Sequence, residues 1–340
     1  MDLFALTRAL VDIESTTPSE GRLSEFLFQH LAPLANRYGG KLERMNVEAG
    51  RENIFVSFGV PLVTLSTHMD TVPPFFASSE NETHVFGRGS CDAKGIIAAM
   101  IEAARRLLES GTTNIGLLFL VGEERNSAGA LAAAKISRGA RYIINGEPTE
   151  NRLALGSKGS LRYQITARGR MAHSAYPELG ESAIEKLLDV LTDLRRMPLP
   201  SDLLFGASTL NIGTIEGGRA PNVIPDHARA ELLIRLVADP VPLKQAVTKI
   251  CAGRAEAEEV LCIPAVRLGS LDGYPTTVAS FTTDIPAFGV NWGTPFLIGP
   301  GTIHVAHTSE ERVPKQDLRD AVEIYMRMVK QLRSAAGASS

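Results

Sequence analysis

Leu62-Val-Thr-Leu-Ser-Thr-His68-Met-Asp70 is a short apolar run that ends in a histidine and an aspartate. Two later stretches have the same form, Ile115-Gly-Leu-Leu-Phe-Leu-Val-Gly-Glu123-Glu124 and Tyr142-Ile-Ile-Asn-Gly-Glu147. Apolar runs this short, separated by segments with helical spacing, are typical of buried strands in an α/β protein. We therefore expect an α/β fold with a mixed, mostly parallel sheet.

The middle of the chain shows a different order of elements. Residues 159–268 are predicted to form strand, helix, strand, strand, helix and strand, the last strand lying near 265–268; this βαββαβ order is that of a ferredoxin-like domain. At 340 residues the chain is longer than one core usually supports. We predict a discontinuous catalytic, metal-binding domain at 1–158 and 269–334, an inserted ferredoxin-like domain at 159–268, and a flexible tail at 335–340.

Composition argues against several classes of protein. There are 35 Lys plus Arg against 38 Asp plus Glu, a net charge of −3, so a nucleic-acid-binding surface is not expected. No apolar run approaches the ~20 residues that span a bilayer, so we expect no membrane partner. The three cysteines, Cys91, Cys251 and Cys262, include no CxxC pair. This pattern predicts a reducing compartment, the cytoplasm.

Polar residues collect where the apolar runs end. In open α/β sheets, sites form beyond the carboxyl ends of the strands, so the three endings are expected to share one crevice. Gly87-Arg-Gly-Ser-Cys-Asp92-Ala-Lys-Gly95 leads into a predicted helix and brings a further acid. Gly299-Pro-Gly-Thr-Ile-His304-Val-Ala-His307 follows the last predicted strand and brings a histidine to the same edge.

This crowd of acids and histidines indicates a metal site, because closely packed carboxylates need a cation if all are to stay ionised. Nitrogen and oxygen ligands suit a borderline metal, zinc first, with cobalt and manganese as alternatives. If Asp92 bridges two ions, each ion has three protein ligands and keeps an open position, as in catalytic zinc sites. The candidate ligands are His68, Asp92, Glu124, Glu147 and His307.

Two further carboxylates have candidate roles at this site. Glu123, beside Glu124, is placed to act as the general base that takes a proton from water and returns it to the leaving amine. Asp70, two residues after His68, is placed to hold that imidazole in the tautomer that leaves its other nitrogen free for metal.

Each of these motifs also has an ordinary structural explanation. A Glu-Glu pair is usually a solvated surface and a His-X-Asp sequence is usually part of a loop, so the metal interpretation depends on their joint occurrence at strand ends. We interpret Cys91 as a small buried thiol rather than a nucleophile. The sequence has no GxSxG, which argues against a serine hydrolase, and no GxxxxGK, which argues against a nucleotide-binding protein.

Five motifs follow one another in a recognisable order. They are Ser66-Thr-His68-Met-Asp70-Thr-Val-Pro-Pro74, Gly87-Arg-Gly-Ser-Cys-Asp92-Ala-Lys-Gly95, Gly122-Glu123-Glu124, Gly146-Glu147-Pro-Thr149 and Gly299-Pro-Gly-Thr-Ile-His-Val-Ala-His307. In this order they resemble the dinuclear zinc exopeptidase and amidohydrolase family, which includes acetylornithine deacetylase, succinyl-diaminopimelate desuccinylase, carboxypeptidase G and aminoacylase. The resemblance spans essentially the whole chain.

The resemblance implies a role for each matched residue. His68 and Glu147 would hold one metal and Glu124 and His307 the other, with Asp92 between them. Glu123 would be the base and Asp70 would orient His68. The family also implies a cis peptide bond between Asp92 and Ala93, although alanine stands where methionine is usual. The segment between Pro74 and Gly87 is shorter than is common and lacks the usual tryptophan, so no specificity is transferred from it.

The resemblance also gives the inserted domain a function. It would be a lid and dimerisation domain, so a homodimer is expected. Met171-Ala-His173-Ser-Ala-Tyr-Pro177 would supply a catalytic histidine, His173, to the substrate carbonyl, in the same subunit or across the dimer. Asn222 and Arg235 would bind the substrate carbonyl and carboxylate, for which arginine offers a two-pronged grip.

The expected activity is hydrolysis of an amide bond next to an amino-acid carboxylate, with two divalent metals as cofactors and a small molecule as substrate. Removal of an N-acyl group from an amino acid is our first hypothesis. A dipeptidase or carboxypeptidase with the same dinuclear site is the alternative. A non-catalytic binding homologue that keeps the fold is a third hypothesis, which the presence of all five ligands and the base disfavours.

Overall fold

The computed structural model describes residues 1–337. These residues form two compact units. Unit 1 comprises Met1–Leu155, Leu268–Thr277 and residues 283–337, and unit 2 comprises Gly156–Arg267 and Val278–Thr282. Of the tail predicted at 335–340, residues 335–337 continue the last helix, and 338–340 lie outside the described residues.

The helices are α1 (Leu3–Val11), α2 (Gly21–Tyr38), α3 (Lys94–Glu109), α4 (Ala128–Ala133), α5 (Ala183–Arg196), α6 (Val241–Cys251), α7 (Ile285–Phe288) and α8 (Lys315–Gly337). The strands before the insertion are β1 (Lys41–Glu48), β2 (Arg51–Phe58), β3 (Val63–His68), β4 (Ser79–Glu80), β5 (His84–Phe86), β6 (Ile115–Leu120), β7 (Tyr142–Asn145) and β8 (Leu153–Ser157). The later strands are β9 (Gly159–Arg168), β10 (Ala172–His173), β11 (Ser201–Asp202), β12 (Gly206–Ala207), β13 (Thr209–Gly217), β14 (Val223–Ile224), β15 (His227–Leu236), β16 (Glu256–Ile263), β17 (Val266–Arg267), β18 (Thr276–Ala279), β19 (Thr294–Leu297) and β20 (Arg312–Pro314).

The central sheet of unit 1 has the strand order β1-β2-β6-β3-β7-β19-β8. Its middle strands β6, β3, β7 and β19 run parallel to one another, whereas β1, β2 and β8 are antiparallel to their neighbours. Strands β3 and β6 are buried along their whole length, as expected for parallel strands covered on both faces. The predicted α/β class with a mostly parallel sheet is confirmed.

Helix α3 is buried on almost every side. It packs against α1, α8 and the strands β3 and β6, and its Ile96, Ile97 and Met100 are fully buried. Residues 95–101 of this helix are apolar and buried on every face, as expected in an interior, whereas Glu102 and Arg105 in its later turns are partly exposed. Because its surroundings fix α3, they also fix the chain just before it, where Asp92 and Ala93 are joined by the cis peptide bond expected from the family resemblance.

Unit 2 contains a four-stranded antiparallel sheet in the order β13-β15-β9-β16, with the helices α5 and α6 in its hydrophobic cluster. This is the strand order of a ferredoxin-like fold. The prediction misplaced its last strand, which is β16 and not 265–268. Strand β17 (Val266–Arg267) pairs instead with Gly156 and Ser157, the part of β8 that belongs to unit 2. Strand β1 of unit 1 was not predicted at all.

Within residues 1–337 no helix is both long enough and apolar enough to cross a membrane.

Candidate metal centre

Four adjacent parallel strands of unit 1 carry the candidate residues just beyond their carboxyl ends. His68 is the last residue of β3, Glu123 and Glu124 follow β6, and Glu147 follows β7. The segment that carries His307 follows β19, the next strand of the sheet. Adjacent parallel strands end at one edge, so the fold alone gathers these side chains.

His68, Asp92 and Glu124 form the closest group. Each offers one ligand atom, and these atoms all lie within 4.8 Å of one another. His68 Nε2 is 2.9 Å from Asp92 Oδ1, and His307 Nε2 is 3.4 Å from Asp92 Oδ2. The two carboxylate oxygens of Asp92 therefore face two different imidazoles, which is the arrangement that a bridging ligand needs.

His307 also lies beside Glu124, with Nε2 3.0 Å from Oε1. Together His307 and Glu124 flank one oxygen of Asp92, while His68 flanks the other. The predicted assignment, in which Glu124 and His307 share one metal and His68 and Glu147 share the other, remains a prediction. A mixed set of imidazole and carboxylate groups around a shared aspartate suits zinc and related ions.

The electrostatics of the cluster also call for a cation. Burial lowers the pKa of His68, but hydrogen bonds with Asp70 and Asp92 outweigh it and hold this pKa well above its usual value. Hydrogen bonds with Asp92 and Glu124 raise the pKa of His307 to about 10. The carboxylates thus favour a positive charge beside the two imidazoles, and a bound divalent ion would supply that charge.

Asp70 lies directly beside His68. His68 Nδ1 lies 3.0 Å from the backbone oxygen of Asp70 and 3.5 Å from its Oδ1, which leaves Nε2 to face Asp92. Asp70 in turn accepts hydrogen bonds from the backbone N–H groups of Glu123 and Glu124, each at 3.1 Å. The hydroxyl of Thr17 also donates a hydrogen bond to Asp70 Oδ2 at 2.7 Å, and no sequence motif indicated this contact.

Glu147 and Glu123 stand close to this cluster but outside its three closest members. Burial, reinforced by the charge of Glu147, raises the pKa of Glu123 well above its usual value. Burial also raises the pKa of Glu147, which the charge of His68 opposes. The pKa of each carboxylate is therefore shifted by charged groups nearby, as expected for a base beside a metal ligand.

Asp284 is a buried acid that the sequence analysis missed. It precedes α7 and is 1% exposed, and its Oδ1 has no hydrogen-bond partner among the described residues. Burial raises its pKa to about 7, and the charges of Asp70 and Glu124 add to this. In the sequence, an acid just before a helix that starts Ile285-Pro286 has the pattern of an ordinary N-cap. The sequence therefore did not indicate that Asp284 lies near the cluster.

The candidate residues of unit 2 are arranged differently. His173 and Asn222 are brought together by the pairing of β10 with β14, in which the backbone N–H of Ser174 donates to the oxygen of Asn222 at 3.0 Å. The N–H of Ala175 donates to His173 Nδ1 at 3.1 Å. Arg235 lies near the end of β15, where burial lowers its pKa.

Comparison with known proteins adds to this geometry. The model of the Peptidase family M20/M25/M40 matches residues 64–331. The chain belongs to this family. The M20 match covers every residue of the unit 1 cluster, and the predicted dinuclear zinc exopeptidase family is thereby confirmed, as is an enzyme that hydrolyses C–N bonds.

Relatives and solved structures agree with the M20 assignment. A Peptidase M20 domain-containing protein of Schizosaccharomyces pombe is 36% identical, over 96% of this chain and 84% of that protein. A probable carboxypeptidase of Uncinocarpus reesii is 32% identical, over 97% of this chain and 86% of that one. A tripeptidase from Staphylococcus aureus has the same fold, with a TM-score of 0.81 at 20% identity over 97% of each chain.

Proposed function

We propose that this M20 protein removes the acyl group from an N-acyl amino acid by metal-dependent hydrolysis of the amide bond next to the carboxylate. The observation that carries the proposal is the position of Asp92 between His68 and His307, with Glu123 beside Glu124. Two divalent ions held by the predicted ligands would polarise the substrate carbonyl and lower the pKa of a water molecule.

Glu123 is the residue that moves the proton in this proposal. Its backbone N–H is fixed at 3.1 Å from Asp70 Oδ1, while its carboxylate makes no hydrogen bond to another side chain within the described part of the chain. A carboxylate whose pKa is raised by burial takes a proton from water more readily than a solvated one. It can then deliver this proton to the nitrogen of the leaving amine.

His173 is suited to bind the substrate carbonyl oxygen. Because Nδ1 accepts a hydrogen bond from the N–H of Ala175, the proton of a neutral ring lies on Nε2. Nε2–H is then a donor, and a donor aimed at a developing oxyanion contributes roughly 3 kcal/mol to transition-state binding. Asn222, held next to His173 by the β10–β14 pairing, offers a second polar contact.

Arg235 is suited to bind the substrate carboxylate. Its guanidinium forms no ion pair with the residues that the structure describes, although it is only partly exposed. A partly desolvated arginine without an acidic partner retains its capacity for a two-pronged bond to a carboxylate. This supports a substrate with a free carboxyl group, which both N-acyl amino acids and peptides have.

Cleavage of dipeptides or of the carboxyl-terminal residue of short peptides is the second candidate. It is favoured by the names of the relatives, which include a probable carboxypeptidase, and by the tripeptidase among the structural matches. Both candidates place the same amide bond and the same carboxylate at the metal centre. They differ in the group beyond the carbonyl.

Matched substrates separate the two candidates. N-acetyl-leucine and glycyl-leucine share the amide bond and the carboxylate, and differ by a methyl against an aminomethyl group. Leucine release by the zinc- or cobalt-loaded protein is measured for this pair, for N-succinyl-leucine, and for the corresponding derivatives of other amino acids including ornithine and diaminopimelate. Glu123→Gln protein purified in the same way controls for contaminating hydrolases.

The deacylase proposal predicts kcat/KM at least tenfold higher for an acyl derivative than for the matched dipeptide. The reverse preference supports the second candidate and overturns the first. No release from any substrate, by protein shown to contain metal, contradicts both and favours the non-catalytic homologue.

We also propose that the protein is a cytoplasmic homodimer that associates through unit 2. Cys91, Cys251 and Cys262 are all free thiols, as expected in a reducing compartment. Sedimentation at micromolar concentration tests the dimer: an active monomer would contradict a role for His173 across a subunit interface.

A further inference from the structure

Glu311 is a buried carboxylate on the segment that follows His307. It is 1% exposed, and its side chain is engaged on both oxygens. Oε1 accepts hydrogen bonds from the backbone N–H groups of Gly89, Asp92 and Cys91, at 2.9, 3.1 and 3.2 Å. Three N–H groups on one oxygen hold the loop that leads to Asp92.

The other oxygen of Glu311 meets a buried cation. Arg88 Nη1 donates to Oε2 at 2.6 Å, and its Nε donates to the backbone oxygen of Pro74 at 3.2 Å. An unpaired carboxylate at this depth would be costly, and the guanidinium of Arg88 compensates the charge of Glu311. The backbone oxygen of Glu311 accepts the N–H of Gly87 at 3.1 Å as well.

These bonds connect two segments that are far apart in the sequence. Glu311 lies 219 residues after Asp92 and only a few residues after His307. The same short segment therefore supplies one imidazole to the cluster and fixes the backbone of the aspartate that faces this imidazole. A shift of Glu311 would move the side chain of Asp92 relative to His307, and metal sites tolerate little displacement of their ligands.

We infer that Glu311 is a positioning residue of the metal centre, which holds the Asp92 loop and the His307 segment in the mutual arrangement that metal binding requires. Its oxygen acts on the backbone of Asp92, so it contributes no ligand itself. This inference rests on the proposed metal site but on neither candidate substrate.

The test is cobalt binding to metal-free protein, which needs no substrate. Glu311→Gln keeps the size of the side chain and replaces the charged acceptor by an amide. Glu311→Ala removes the acceptor. The dissociation constants for two equivalents of Co²⁺ are measured by calorimetry, the visible spectrum of bound Co²⁺ is recorded, and unfolding by urea is followed in parallel.

We expect the weaker Co²⁺ site to lose about tenfold in affinity in Glu311→Gln and about 100-fold in Glu311→Ala, with an altered Co²⁺ spectrum, since residues that support ligands typically contribute in this range. Arg88→Lys is the matched control. It alters the same buried ion pair but leaves the acceptor and its charge balance, so its Co²⁺ affinity should stay within threefold of the wild type.

A purely structural role for Glu311 gives a different result. In that case Glu311→Gln would unfold at a lower urea concentration, yet it would bind Co²⁺ with unchanged affinity and spectrum, which overturns the inference. Equal losses of affinity in Glu311→Gln and Arg88→Lys would also overturn it, because the ion pair and not the backbone acceptor would then be responsible. If Glu311→Ala does not fold, Glu311→Gln alone decides.

Discussion

The candidate residues of unit 1 and unit 2 are held in place in opposite ways. In unit 1, His68 and Asp70 are almost fully buried, and Asp70 alone accepts three hydrogen bonds. In unit 2, His173 and Asn222 are exposed and are held by the backbone pairing of two short strands. Within unit 1 the contrast is not uniform, since the side chain of His307 is 50% exposed. Under the proposed function, the buried groups fixed by many contacts would serve bond cleavage, and the exposed groups of unit 2 would be available to bind a substrate.

The largest effect is predicted at the proposed base of unit 1. Glu123→Gln should lower kcat about 10³-fold, because the amide cannot carry the proton from water to the leaving nitrogen. Metal content should remain at the wild-type level, since Glu123 is not among the proposed ligands. Steady-state kinetics and metal analysis of the same preparation check both statements. Turnover at more than a tenth of the wild-type rate would remove Glu123 from the mechanism.

A smaller loss is predicted at the proposed carbonyl donor of unit 2. His173→Ala should lower kcat about 100-fold by removing the Nε2–H donor. Because His173 is exposed, the midpoint of thermal unfolding should change by less than about 2 °C. A scan of thermal unfolding and the kinetic constants measure the two effects. Unchanged kcat with raised KM would make His173 a binding residue only and would weaken the proposed role in catalysis.

Arg235 gives a test of recognition without catalysis. Arg235→Lys should raise KM about tenfold and leave kcat within threefold, since an ammonium group keeps the charge but loses the two-pronged geometry. Arg229→Lys is the matched control on the same strand, where Arg229 is already paired with Glu216. Equal KM values for both variants and the wild type would exclude Arg235 from carboxylate binding.

The smallest effect is predicted for a supporting contact in unit 1. Thr17→Val keeps the shape of the side chain but removes the hydroxyl that donates to Asp70. The free energy of unfolding should fall by about 1.5 kcal/mol, as for other hydrogen bonds to charged groups, and kcat should fall a few-fold. Thr7→Val, which removes a hydroxyl bonded to a backbone oxygen within α1, is the control. It should leave kcat unchanged; an identical kcat in both variants would show that Asp70 does not need Thr17.

The central strands of unit 1 and the polar residues at their ends were predictable from the sequence, whereas the edge strands of the two sheets were not. Strands β3, β6 and β7 are short apolar runs followed by polar residues. This pattern predicts both the position of each strand and the end of the sheet at which the polar residues gather. Strands β1 and β16 were missed or misplaced, and both lie at the edge of their sheets. Edge strands carry charged residues on exposed positions, as in Lys41–Glu48 and Glu256–Ile263, so the apolar signal is weak there.

The residues that support the cluster were not predictable for a different reason. Thr17 lies 53 residues from Asp70, and Glu311 lies 219 residues from Asp92. A hydroxyl or a carboxylate in a loop has the same local sequence whether it faces water or a buried partner. Only the sheet order, which brings β19 and its following segment beside β7, decides that Glu311 meets the Asp92 loop.

The position of β19 has a consequence for how the protein is made. This strand lies between β7 and β8 inside the sheet of unit 1, although it is translated after all of unit 2. His307 and Glu311 emerge from the ribosome later still. A nascent chain therefore carries His68, Asp92 and Glu124 without the segment that completes their cluster. The cluster can therefore be completed only after unit 2 has been synthesised.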